Sequence, residues 1–173
     1  PYSAGPLGRF LEIVMVRAGR RVPPGAFQSG GAVSALLQCA LDAGAIDAAV
    51  LTGREGLEAI PRIAVTAAEI RSCAASKYTA APTLAALNRA VREGRGRLGV
   101  VTTPCQTLAL AQMRSNPLNT EGFYDPVALS IGLFCTWALD FRAFDAFLAE
   151  RLQGDRIRKI DIPPPPAEVL VVE

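Results

Sequence analysis

Leu98-Gly99-Val100-Val101-Thr102-Thr103-Pro104-Cys105-Gln106 decides how this chain folds. Leu98 to Val101 is a short apolar run of strand length, and it ends in a small polar turn. Pro104 then opens a helix over 104–113, because the first helical position has no use for the N–H that proline lacks. The arrangement recurs downstream. Val127 to Leu133 reads as a strand, and Ile131-Gly132-Leu133-Phe134-Cys135-Thr136 carries it into another small turn with one cysteine. Open α/β sheets bind ligands where strands end and helices begin. Two such ends, each with Thr and Cys, predict one site built from two loops.

Outward from that core, strands and helices alternate. Phe10 to Arg17 reads as a strand, followed by a Gly/Pro-containing loop. Ala32 to Ala43 has helical spacing, with Val33, Leu36, Leu37, Ala40 and Leu41 on one face, Ser29 as N-cap and Gly44 as the C-terminal glycine. Ile46 to Leu51 and Arg62 to Val65 read as strands. Thr66-x-x-Glu69 is a capping box for a short helix. Pro82 to Glu93 is a helix with Leu84, Leu87 and Val91 inward, stopped by Gly94 and Gly96. Ser115 to Pro126 is a polar loop, and Phe141 to Leu152 is a helix closed by Gly154. Ile157 to Ile162 and Val169 to Val172 are strands separated by four prolines, a stiff spacer that cannot enter a central sheet. The pattern predicts one α/β domain over 1–173, three-layer-like, with a mostly parallel or mixed sheet flanked by helices.

Composition narrows the chemistry. The chain has 173 residues, enough for one domain with a real core. Its net charge of +2 and scattered basic residues give no footprint for nucleic acid. No apolar run approaches the roughly 20 residues of a membrane helix. There is no histidine, so Ser-His-Asp, Cys-His and His-zinc sites are excluded within this chain. Cys39, Cys73, Cys105 and Cys135 form no CxxC pair. With no signal peptide in view they read as reduced thiols of a cytoplasmic protein. The sequence starts at Pro1 and ends on a strand-like run, as expected for a piece of a longer protein.

Several residues carry candidate chemistry. Gln28-Ser29-Gly30-Gly31 precedes a helix, where glycines permit close backbone approach and free N–H groups suit a phosphate. The same residues read equally as a plain helix entry, and they are not a GxGxxG fingerprint. Lys77 in Ser76-Lys77-Tyr78-Thr79 is placed to pair with a phosphate or a ring oxygen, and Tyr78 to stack on a ring; a surface turn is the alternative. Thr103-Pro104-Cys105-Gln106 is a capping box, which leaves Cys105 unexplained. A thiol in the first turn of a helix has its thiolate stabilised by the dipole, the setting of a redox or catalytic cysteine. Cys135 reads as a buried, inert thiol or as one ligand of a cluster. Cys39 and Cys73 read as core or helix-face residues.

Taken in order, these blocks resemble a known family. Ser29-Gly30-Gly31-Ala32-Val33-Ser34-Ala35-Leu36-Leu37 with Leu41-Asp42-Ala43-Gly44-Ala45-Ile46-Asp47 is similar to the N-terminal module of the coenzyme F420 hydrogenase/dehydrogenase beta-subunit family. Ser76-Lys77-Tyr78, Thr103-Pro104-Cys105-Gln106 and Ile131-Gly132-Leu133-Phe134-Cys135 continue the family order, and Lys159-Ile160-Asp161-Ile162-Pro163 resembles its tail.

The resemblance implies an oxidoreductase subunit that holds FAD and passes electrons between an iron–sulfur partner and a two-electron acceptor. That acceptor is the deazaflavin F420 in some members. Other hydrogenase or dehydrogenase subunits, or ferredoxin, are the implied partners. It further implies that Ser29, Gly30, Gly31, Ser34, Ser76, Lys77, Tyr78, Thr103, Pro104 and Gln106 contact the flavin, with Cys105 against it and Cys135 as a candidate metal ligand. Family members bear a 4Fe–4S cluster on a Cys-rich C-terminal segment, which is expected to be missing here along with the cluster. Ala75 stands where the family has glycine. Two rival readings are a docking module without flavin, and a thiol oxidoreductase using Cys105.

Overall fold

The computed structural model describes residues 9–20, 22–23, 27–116, 124–135, 138–152, 157, 160–163 and 169–173. In chain order the elements are α1 (Ala32–Asp42), β1 (Ala48–Glu55), β2 (Glu58–Ala64), α2 (Ala67–Ser72), α3 (Thr83–Arg92), β3 (Leu98–Thr102), α4 (Pro104–Ser115), β4 (Val127–Gly132), α5 (Phe141–Arg151), β5 (Ile160–Asp161) and β6 (Val171–Val172). Four strands form a mixed sheet in the order β2-β1-β3-β4. β3 runs parallel to both β1 and β4, and β2 is antiparallel to β1. β5 and β6 pair antiparallel in a sheet of their own.

Strand alternation divides the core into two layers. Ala48, Val50, Leu98 and Val100 face α3 and α4 through Ala86, Leu87, Ala90 and Leu110. Ala49, Leu51 and Val101 face the other way, toward Leu37 of α1 and Ile70 of α2. All five residues of β3 are buried, as expected for a parallel strand covered on both faces. The mixed, helix-flanked sheet is therefore the one the sequence pattern predicts.

The β1–β2 hairpin is longer than its sequence suggests. Thr52 to Glu55 and Glu58 to Pro61 are polar or punctuated by glycine and proline, so periodicity shows only the apolar halves of each strand. Gly56, at φ 55°, lies in the two-residue turn, and Arg62 pairs with Glu55 at 2.6 Å. Pro61 is accommodated because β2 is an edge strand.

Four local expectations are corrected. The run from Phe10 to Arg17 forms no strand: Phe10, Leu11, Ile13, Val14, Met15 and Val16 are exposed. Apolar residues favour a strand only where backbone partners exist, and the segment instead passes the entrance of α1, where Ala18 N–H donates to the Gly30 carbonyl at 2.6 Å. The N-cap of α1 is Gly31 at φ 69°, not Ser29, since that position requires the left-handed conformation glycine adopts freely. On α1 Leu36 points outward while Val33, Leu37, Ala40 and Leu41 face the sheet. On α3 Val91 is likewise half-exposed, and Thr83, Ala86, Leu87 and Ala90 form the inner face.

Other local signals hold. The Thr66/Glu69 capping box closes both ways, at 3.2 and 3.0 Å. Gly44 (φ 65°) and Gly94 (φ 78°) follow the ends of α1 and α3. Gly154, Pro164 to Pro166 and most of the loop after Ser115 lie outside the described residues.

Candidate functional site

A cavity of about 530 Å³ opens at the carboxyl end of β3, where the parallel pairing of β1 with β3 stops, and beside the exit of β4. Leu51, Thr52, Val101, Thr102 and Leu133 form its floor. This is where an α/β sheet places a ligand, because strand ends and helix starts leave polar backbone groups without ladder partners. Two loops complete the wall, residues 27–34 entering α1 and residues 73–81 between α2 and α3.

The structure gathers most of the candidate residues here. Ser29, Gly30, Gly31, Ser34, Ser76, Lys77, Tyr78, Thr103, Gln106 and Cys135 all line the cavity. Pro104 and Cys105 are not among the lining residues, and Cys105 is exposed with Sγ 3.2 Å from Thr103 Oγ1. Cys135 is exposed beside Phe134, a residue that is itself 99% exposed. Cys39 is exposed on α1, whereas Cys73 packs against the α1–α2 core layer and reaches the cavity. No group of three or more His, Cys, Asp or Glu side chains that could hold a metal ion occurs among the described residues.

Local chemistry explains the wall. Gly31 is required twice: its φ is positive, and a Cβ there would lie 2.8 Å from the Phe27 ring. The first helical bond of α1 runs from Ala35 N–H to the Gly31 carbonyl at 3.0 Å. The N–H groups of Ala32, Val33 and Ser34 therefore precede the ladder, and all three residues line the cavity. Gln106 Oε1 accepts from Thr103 N–H at 3.2 Å, and its Nε2 donates to the Ala81 carbonyl at 2.7 Å, so one side chain joins α4 to the second loop.

Lys77 shapes that second loop. Its Nζ donates to the carbonyls of Cys73, Ala74 and Ala75, the last two at 2.8 Å each. Three carbonyls saturate the three donors of an ammonium. Burial pulls the Lys77 pKa down to about 8, with the Cys73 thiol opposing and Arg54 adding to the shift. Lys77 is thus a loop organiser carrying a partly buried positive charge.

Ala75 adopts φ 68°, the one non-glycine positive φ among the described residues. A Cβ in that region costs about 1–2 kcal/mol. Ala75→Gly is expected to raise stability by about 1 kcal/mol, after the entropy glycine loses on folding. A urea midpoint equal to or below that of the parent would refute this.

Some site residues carried no local signal. Thr52 and Thr83 share a hydrogen bond at 2.9 Å, and Thr102 and Thr107 one at 2.8 Å; Thr52, Thr83 and Thr102 line the cavity. Gln28 opens the block Gln28-Ser29-Gly30-Gly31, but its own role shows only in the structure. Its Oε1 accepts from Ser76 N–H at 2.9 Å and its Nε2 donates to Tyr78 Oη at 2.6 Å and to Asp161 Oδ1. Asp161 reaches the site from 83 residues beyond Tyr78, a contact no short-range pattern reveals.

Comparison with known proteins gives this geometry a context. Residues 15–88 match the family described as "Coenzyme F420 hydrogenase/dehydrogenase, beta subunit N-term", and residues 95–173 match the C-terminal family of the same hydrogenase/dehydrogenase beta chain. The coenzyme F420 hydrogenase subunit beta of Methanothermobacter thermautotrophicus is 34% identical over 161 residues, covering 90% of this chain and 57% of that protein. The coenzyme F420-dependent sulfite reductase of Methanocaldococcus jannaschii is 31% identical over 147 residues, covering 78% of this chain and 24% of that protein. Among solved structures, a chain of the F420-reducing NiFe hydrogenase complex from Methanosarcina barkeri superposes with a TM-score of 0.71 at 25% identity, covering 79% of this chain and 49% of that one. The chain spans little more than half the length of the curated hydrogenase subunits it matches.

Proposed function

We propose that this chain, which belongs to the coenzyme F420 hydrogenase/dehydrogenase beta-subunit family, is the flavin-holding, electron-transferring unit of such an oxidoreductase subunit. The observation that carries the reading is the cavity at the strand ends, where three separated sequence blocks converge. FAD needs a flat apolar slot, polar partners for its ring edge and a positive environment for its phosphates. Val33, Leu37, Leu51 and Val101 offer the apolar wall. The N–H groups at the start of α1, with Ser29 and Ser34, offer donors for a pyrophosphate. The Lys77 charge lies in the same wall, and Tyr78 and the exposed Phe134 offer rings to cover the flavin.

When bound, FAD would supply the conversion between single electrons and a two-electron hydride. The chain's residues would bind and orient it and exclude water from one face. Partners of the same type as the relatives' other subunits, or ferredoxin, and an acceptor such as F420 belong to this reading. The described residues offer no ligand set for a 4Fe–4S cluster, so no role is assigned to one. Cys105 is exposed and outside the cavity lining, so this reading assigns it no contact with the flavin.

Titration of the purified protein with FAD, followed by flavin fluorescence and difference absorbance, tests this reading. Saturable binding is expected, and Cys105→Ser is expected to bind with the same affinity. An absence of saturation at high FAD would overturn the reading and leave the docking-module alternative.

A further inference from the structure

We infer that Asp161, carried by the short C-terminal β5–β6 pair, is a positioning residue for the flavin site. The inference rests on the flavin reading above. It starts from a five-residue hydrogen-bond cluster at the cavity wall. Tyr78 Oη donates to Asp161 Oδ1 at 3.2 Å and accepts from Ile162 N–H at 3.0 Å. Gln28 Nε2 donates to Asp161 and to Tyr78 Oη, and Gln28 Oε1 accepts from Ser76 N–H. The cluster therefore joins the loop entering α1, the loop after α2 and the C-terminal segment. Gln28, Ser76, Tyr78 and Ile162 all line the cavity.

The carboxylate sets the direction of the bonds that end on it, and the two backbone N–H donors set the others. An ionised Asp only accepts. The Gln28 amide must then turn its NH₂ toward Asp161, which leaves Oε1 as the acceptor for Ser76 N–H. The Tyr78 proton must likewise point at Asp161, which leaves its oxygen to accept from Ile162 N–H. Removing the acceptor takes one partner from the Gln28 NH₂ and frees the Tyr78 hydroxyl proton to rotate, while Ser76 N–H and Ile162 N–H still hold Gln28 Oε1 and Tyr78 Oη as acceptors. The side-chain ties from Asp161 to the two loops are then lost, and the C-terminal segment is less firmly set against these cavity walls. Charge-assisted bonds of this kind are the stronger members of a network.

The test compares Asp161→Ala and Asp161→Asn by FAD titration, with thermal melts alongside, and follows hydrogen exchange at the Ile162 amide with and without FAD. Asp161→Ala is expected to weaken FAD binding about tenfold while melting within a few degrees of the parent. Asp161→Asn, which keeps an acceptor oxygen, is expected to recover most of that loss. In the parent protein FAD is expected to slow exchange at Ile162, a readout that needs no variant to fold. Parent-like affinity in Asp161→Ala, equal losses in both variants, or Ile162 exchange indifferent to bound FAD would each overturn the assignment. Failure of the parent to bind FAD at all would instead overturn the flavin reading.

Discussion

Gly99→Val is expected to destabilise the protein by about 3 kcal/mol, the upper end for overpacking a close-packed core. Gly99 sits mid-way along β3, the central parallel strand, on the face that packs beneath α1. A Cβ there would fall 2.8 Å from Ile46 Cδ1 and 3.1 Å from Leu37 Cδ2. Both neighbours are essentially fully buried, so neither has solvent to move into. The added atoms must displace α1 from the sheet, or bend the strand and its ladder to β1 and β4. Small domains are stable by only about 5–15 kcal/mol in total, so the loss is a large fraction of the whole. Urea denaturation reads it directly. A change within about 0.5 kcal/mol of the parent, the range of ordinary surface substitutions, would show that the α1–β3 contact yields. The displacement also reaches function, because the start of α1 supplies one wall of the cavity.

Lys77→Met is expected to weaken FAD binding by about tenfold to a hundredfold, the range for losing a set of charge-assisted hydrogen bonds. The methionine keeps the apolar stem but leaves the carbonyls of Cys73, Ala74 and Ala75 without their donor. The loop holding Ala75 in a strained conformation then loses its internal tie, although the bonds from Gln28 and Gln106 remain. Ser76 and Tyr78 are then less firmly set in the cavity wall, and the positive charge beside the site is lost.

The same lysine predicts a pH dependence. Burial holds its folded pKa at about 8, below the ordinary 10.5. Between those values the unfolded chain binds a proton that the folded chain does not, so this group makes stability rise with pH across that window. Below about 8 both states are protonated and its contribution is flat. FAD affinity behaves oppositely: above about pH 8 the neutral amine has one donor too few for three carbonyls, and binding should fall. Both slopes should vanish in Lys77→Met. A pH-independent parent, or a variant with unchanged affinity, would refute the role given to Lys77.

What the sequence determined is local. The apolar run before Thr102 and the proline after it specify strand, turn and helix, since strand period and the missing N–H are short-range properties. The Thr66/Glu69 box and the glycines after α1 and α3 mark helix ends for the same reason. The blocks that resemble the family were also readable in line, and the structure gathers most of them around one cavity.

What only the tertiary structure decided is pairing. Phe10 to Val16 has strand composition and no strand, because a strand exists only through its neighbour's backbone. Leu36 and Val91 belong to apolar periods yet face outward, because the sheet covers only part of each helix. Cys105 and Gln106 are adjacent in sequence, but the turn of α4 sends Gln106 to the cavity wall and leaves Cys105 on the surface. Asp161 reaches Tyr78 across 83 residues, and Lys77 spends its donors on its own loop. Hydrogen-bond partners are chosen by distance in space, and a one-dimensional pattern carries no record of that distance.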